Sequence, residues 1–329
     1  PRDSAAIHDP TSRAWSTAPR MHTARDSHTA TTLPDGKVLV AGGLTDEGRS
    51  TVRAEVFDPA AGIWTDTGAL HAARHRHAAV ALDDGRVLVM GGCSTDFSGT
   101  GAPSPSAEIY DPATGVWQVA AAPTVNGWGR TAVVLSDGTV LAAGGYDLTS
   151  DRDTEKAERY DPAADSWQLT APLAESRYDH AAALLPDGGV LVAGGRYLDA
   201  RWAPRGRASA AIYDPGTGFW SSTGPMTDVR GRSGHTLSVI GGDRALACGD
   251  AIFGPASTEI LDLATRTWRA GGGMAAGRVG HTATVLAGGT VLVLGGHGDS
   301  LDRYQALMQV FEPDSERWTT VGELPPSRW

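Results

Sequence analysis

Proton-transfer chemistry in this sequence could come from His75, His297, Tyr178, Asp179 and Asp26. A histidine gives and takes protons near neutral pH, and a nearby carboxylate or phenol supplies the complementary acid or base. Arg76 and Arg196 carry the planar fork that grips a carboxylate through two parallel hydrogen bonds. Trp128 and Tyr146 offer aromatic faces to a sugar or an apolar group, and Tyr197 and Ser233 join them as candidates for holding a substrate. No linear catalytic motif connects these residues. They stand out because they break a pattern that the rest of the chain obeys.

That pattern has a period of about 50 residues, since Trp15, Trp64, Trp117, Trp167, Trp220, Trp268 and Trp318 are separated by 49, 53, 50, 53, 48 and 50 positions. Each follows an Asp-Pro or Glu-Pro pair except Trp268, which follows Asp262-Leu263. A glycine pair precedes every Trp after the first, at Gly42-Gly43, Gly91-Gly92, Gly144-Gly145, Gly194-Gly195 and Gly295-Gly296, with Cys248-Gly249 as the degenerate copy. Further upstream lies a histidine led by an arginine three positions earlier: His28, His77, His180, His235 and His281. The third copy reads Gly127-Trp128-Gly129-Arg130 and gives up both.

These landmarks predict strands. An apolar run, an Asp-Gly turn such as Asp35-Gly36 and a second apolar run make a hairpin, and the Asp-Pro and Trp segments add two more strands. No stretch of ten residues has helical periodicity, so the chain reads as all-β, with four short antiparallel strands per unit. We expect one domain over 1–329: a partial unit at 1–21, repeats at 22–70, 71–123, 124–173, 174–226, 227–274 and 275–324, and the start of a further strand at 325–329. A unit this small cannot bury its own faces, whereas stacked units can.

A four-stranded repeat of this length with a Gly-Gly pair, a Tyr and a spaced Trp resembles the kelch family, over essentially the whole chain. The resemblance implies a kelch-type β-propeller of six full repeats plus a partial seventh, with ligands bound where loops open at one end of the central channel. It extends to the propeller domain of galactose oxidase, but no Cys–Tyr pair or Tyr-His pair matches that enzyme's copper site, so copper radical oxidation is not carried over. Other members of the family, among them sialic acid mutarotase, glutaminyl cyclases and plant specifier proteins, act on small molecules in the funnel. On the resemblance, the entry loops place Asp26, His75, Trp128, Tyr178, Ser233 and Val279 at the mouth. The exit loops add Leu44, Cys93, Tyr146, Arg196, Asp250 and His297. The implied function is a small-molecule enzyme doing non-redox acid–base chemistry (isomerisation, cyclisation or elimination). The alternative is a recognition module for a protein, peptide or glycan. No cofactor and no metal is assigned.

The repeated histidines admit two readings, a ring of metal ligands or hydrogen bonds between units, while the repeated arginine reads as scaffold. Cys93 follows a glycine pair, and the sequence shows no basic group beside it. The formal net charge of −10 repels phosphate backbones and argues against a general nucleic-acid partner. No apolar run approaches 18 residues, so no helical membrane span is expected. No basic-then-apolar leader opens the sequence, which leans localisation to the cytoplasm. Two cysteines, Cys93 and Cys248, exclude a disulfide framework.

Overall fold

The computed structural model describes residues 2–9, 12, 14–95, 101–103, 106–228, 234–249, 256–298 and 305–324. Every regular element among them is a β-strand, and no helix is long and apolar enough to cross a membrane. The chain divides into two compact units, Pro1–Asp9 with Ala14–Thr170 and Pro10–Arg13 with Ala171–Trp329.

Three four-stranded antiparallel sheets and a hairpin make the first unit. The hairpin pairs Ala5–Asp9 with Ala14–Ala18. The first sheet holds Thr29–Thr32, Val38–Ala41, Ala54–Asp58 and Ile63–Asp66; the second Ala78–Ala81, Val87–Met90, Ala107–Asp111 and Val116–Ala120; the third Thr131–Val134, Val140–Ala143, Ala157–Asp161 and Ser166–Leu169. The second unit repeats the plan. Its fourth sheet holds Ala181–Leu184, Val190–Ala193, Ala210–Asp214 and Phe219–Ser222; the fifth Thr236–Ile240, Arg244–Cys248, Ser257–Asp262 and Thr267–Gly273; the sixth Thr282–Val285, Val291–Leu294, Leu307–Glu312 and Arg317–Glu323. Short accessory hairpins lengthen three exit loops, pairing Cys93–Thr95 with Gly101–Pro103, Tyr146–Asp147 with Arg152–Asp153, and Arg196–Leu198 with Pro204–Gly206.

Second strands such as Val87–Met90 are buried along their whole length, which is why they read as unbroken apolar runs. Within each unit they are covered because neighbouring sheets pack on one another. Leu33, Leu39 and Leu70 meet Val87, Val89 and Trp117 between the first and second sheets. Leu185, Leu191 and Met226 meet Ala245, Leu261 and Trp268 between the fourth and fifth. The recurrent Trp also ties neighbours together: Trp167 Nε1 donates to Ala121 O at 2.8 Å and Trp220 Nε1 to Ala171 O at 2.8 Å.

The glycine pair permits close approach of the next repeat. Gly43 N donates to Arg74 O at 2.8 Å, and a Cβ on Gly42 would fall 2.6 Å from that same oxygen. Both glycines have positive φ, 62° and 105°, so any other residue would be strained there as well as crowded.

The repeated arginine and histidine are scaffold. Arg74 Nη1 donates to Gly91 O and Ser106 O, and Nη2 reaches Glu108 Oε1 at 2.8 Å. His77 Nε2 meets Thr29 Oγ1 of the preceding sheet at 2.8 Å, and His281 Nε2 meets Thr236 Oγ1 at 3.0 Å. Each of these two histidines bridges neighbouring repeats. Burial, and then the adjacent arginine, pushes His77 down to about 3 and His281 to about 4 from an ordinary 6.5. Between those values and 6.5 the unfolded chain binds protons that the folded chain refuses, so this contribution to stability is complete above about pH 6.5 and falls as the pH drops towards 3–4. Urea unfolding from about pH 6.5 to about pH 4.5 should show declining stability, with a slope smaller in His77→Gln by up to about 1.4 kcal/mol per pH unit. Equal slopes for the two proteins would remove His77 from the account.

Candidate functional site

Entry and exit loops meet in a fixed register. The residue two positions before the repeated histidine pairs, through backbone, with the residue that follows the glycine pair, 18 positions later. In the first unit this joins Asp26 to Leu44, His75 to Cys93 and Trp128 to Tyr146. In the second it joins Tyr178 to Arg196 and Val279 to His297. The corresponding positions Ser233 and Asp250 lie outside the described residues. The backbone of each pair is dictated by the repeat; its side chains are not.

Asp26, His75, Arg76, Trp128 and Tyr146 are brought together in the first unit. His75 N donates to Cys93 O at 3.0 Å and Cys93 N returns a bond to His75 O at 3.1 Å. The imidazole is 5% exposed, with Nδ1 2.9 Å from Ser50 Oγ and Nε2 3.2 Å from Cys93 Sγ. Burial, reinforced by Arg76, lowers its pKa, so the ring is neutral at pH 7 and able to accept a proton. Arg76 is exposed; its N–H bonds Ser27 O of the preceding entry loop, and its guanidinium lies 5.2 Å from the centre of the Trp128 ring. Among the described residues no carboxylate pairs with that guanidinium. Asp26, on the neighbouring loop, is also exposed.

Trp128 is not the bare platform that its sequence position suggests. Tyr146 stacks on it with ring centroids 5.3 Å apart and an interplanar angle of 25°, and Tyr146 Oη donates to Asp151 Oδ1 at 2.6 Å. The ladder of Tyr146, Trp128 and Arg76 therefore presents a guanidinium, rather than an indole face, to an incoming group. The third copy has also kept its buried cation. Arg130, at the histidine position, reaches Glu158 Oε1 at 2.6 Å and so does the work of the arginine missing from position 127.

Arg76 and Asp179 have φ of 52°, a conformation that at an isolated site would suggest functional strain. Here it belongs to the repeat, because Ser27 has the same angle and Gly129, Gly234 and Gly280 occupy the equivalent position with φ of 63–69°.

In the second unit Tyr178 is 5% exposed and joined to Arg196 through two backbone bonds of 2.9 and 2.7 Å. That burial argues against a solvent-facing phenolic acid. Tyr197 is covered by Arg207, whose Cζ lies 4.1 Å from the ring centre and whose Nε donates to Ser176 O. His297 is half-buried and held to Val279 through backbone.

His22, Glu55 and Asp66 bring three potential metal-binding atoms within 4.8 Å of one another. Glu55 is already engaged, accepting from His22 N at 2.6 Å, Thr23 N at 3.1 Å and Arg25 Nη2. The next repeat builds the same seat, with His71 Nδ1 3.1 Å from Glu108 Oε2 and no third ligand among the described residues. The group is thus part of the scaffold, and Asp66 is a surface partner that raises the His22 pKa by hydrogen bonding.

Residues 74–124 and 128–174 match the Kelch motif. Alpha-scruin of Limulus polyphemus is 28% identical over 124 residues, a stretch that covers 36% of this chain and 13% of that protein. A fungal alcohol oxidase of the AA5 family, solved in complex with copper, shares the fold with a TM-score of 0.70 at 18% identity, covering 92% of this chain and 66% of that one. YjhT is similar with a TM-score of 0.70 at 14% identity, covering 90% of this chain and 97% of its own. The chain thus spans less than two thirds of the oxidase and a small part of scruin. Each copy builds one four-stranded antiparallel sheet, the second and third copies match the Kelch motif, and the chain shares its fold with the AA5 oxidase and YjhT.

Proposed function

We propose that the loop face of the first unit binds a small carboxylate-bearing molecule, with Arg76 as its anchor and His75 as the acid–base residue of a non-redox isomerisation, cyclisation or elimination. The observation that carries this reading is Arg76 itself. Its guanidinium is exposed, held over Trp128 and one residue from a neutral, oriented imidazole. A fork fixed in that way binds a carboxylate at less entropic cost than a free side chain.

A panel of 2-oxo acids and uronic acids, screened by thermal shift and followed by proton NMR for conversion, tests the proposal. Arg76→Gly is the informative variant, because glycine relieves the positive φ and the fold is expected to gain stability, by about 0.5–1 kcal/mol. Its affinity for a panel hit should fall at least about tenfold. His75→Asn should keep affinity and lose turnover. Undiminished binding by Arg76→Gly would refute the anchor. A second reading, recognition of an acidic peptide or glycan without turnover, is favoured by the exposure of Arg76; it predicts the same affinity loss with no conversion in any variant.

A further inference from the structure

We propose that Cys93, His75 and Ser50 form a nucleophilic thiol centre that accepts an acyl group from an activated ester or thioester. Cys93 Sγ lies 3.2 Å from His75 Nε2, and His75 Nδ1 lies 2.9 Å from Ser50 Oγ. In the proposed centre the Ser50 hydroxyl donates to Cys93 O, 3.4 Å away, and Ser50 Oγ accepts from Nδ1–H, which fixes the tautomer. The lone pair of Nε2 then faces the thiol, as a general base requires. Nucleophile, base and orienting group stand in the order of an activated-nucleophile site. Two backbone bonds between His75 and Cys93 keep the loops that carry them in register.

The repeat does not demand this pair. The same two positions hold Asp26 with Leu44, Trp128 with Tyr146, Tyr178 with Arg196 and Val279 with His297. Cys93 keeps a narrow opening, 7% of its surface, whereas Cys248 keeps none. Burial raises the Cys93 thiol pKa and the Arg76 charge draws it back, so the resting form is the thiol and deprotonation must accompany attack.

In the proposed step Cys93 Sγ bonds to the acyl carbon while its proton passes to His75 Nε2. The carbon–oxygen or carbon–sulfur bond to the leaving group breaks, and that group departs with the proton returned from Nε2. A thioester on Cys93 and a free alcohol or thiol result, with no change of oxidation state. The inference shares His75 with the acid–base reading but does not rest on it.

Native protein treated with p-nitrophenyl acetate, then digested and mapped by mass spectrometry, should carry acetyl on Cys93 and not on Cys248. His75→Gln should slow acetylation by about 100-fold. Ser50→Ala, a positioning variant, should slow it by about tenfold through loss of tautomer control. The 15N spectrum of His75 should show the Nδ1–H form in the wild type and lose that preference in Ser50→Ala. Acetylation of Cys93 no faster than of Cys248 in the native chain, or an unchanged rate in His75→Gln, would overturn the proposal; the first comparison needs no variant to fold. The probe carries no carboxylate, so failure here leaves the Arg76 reading standing, and loss of carboxylate binding leaves this one standing.

Discussion

Glu108→Ala is expected to destabilise the first unit by about 3–5 kcal/mol, read as the loss of its urea midpoint at constant slope. Glu108 and Arg74 are both fully buried. Glu108 Oε1 accepts from Arg74 Nη2 at 2.8 Å and Ala72 N at 3.1 Å, and Oε2 accepts from His71 N at 2.7 Å. Removing the carboxylate therefore orphans one buried cation and two backbone donors at once, and the orphaned charge dominates the cost. Arg74→Met combined with Glu108→Leu should be less destabilising than the sum of the single changes by about 2 kcal/mol, since neither charge is then left alone. A Glu108→Ala chain within about 1 kcal/mol of wild type would show the pair to be dispensable. The fourth repeat supplies a natural comparison. Ala211 occupies the glutamate position there, Arg177 turns to Ser209 and, at 3.7 Å, Glu175, and burial lowers its pKa to about 10. Arg278, facing Gln309 instead of a carboxylate, is lowered to about 10 as well.

What the sequence displays and what it hides follow from the range of the interactions. Glycine pairs, Asp-Gly turns and the Asp-Pro pairs that precede most Trp strands act within a few residues, so the strands, their order and the kelch resemblance could be read directly. In the first three repeats the carboxylate partner of the buried arginine lies about 30 positions away in the third strand, at Glu55, Glu108 or Glu158, where it reads as ordinary strand composition. Sequence separation also concealed the base beside Cys93. His75 is 18 residues upstream, and the two are neighbours only because entry and exit loops pair in that register. Positions on the two lists were legible; their pairing was not. Aromatic covering was equally invisible: Trp128 is named by its failure to repeat, but Tyr146 and Arg76 decide what it offers to a ligand.

Gly127→Arg restores the repeat consensus and is nonetheless expected to destabilise the first unit by about 3 kcal/mol. Position 127 holds arginine in the equivalent copies, at Arg25, Arg74, Arg177 and Arg278, but its backbone has been reassigned in the third. Gly127 pairs with Asp147, its carbonyl accepts from Gly92 N at 2.6 Å, and a Cβ there would fall 1.7 Å from the Tyr146 carbonyl oxygen. The pocket that the new guanidinium would need is already filled by Arg130, whose stem crosses Gly145 so closely that a Cβ at that glycine would lie 2.3 Å from Arg130 Cγ. Overpacking and a second buried cation therefore act together, and neither can relax without opening the Gly127–Trp128 strand. The near-ultraviolet dichroism of the Trp128–Tyr146 stack should be lost with it, and with that stack the support that holds Arg76 in place. Gly127→Arg joined to Arg130→His moves the cation back to its usual position and should recover most of the stability but not the stack. If the single substitution proved neutral and left the stack intact, the third copy would be an ordinary kelch repeat, and the transfer of its buried cation from position 127 to Arg130 would have no physical basis.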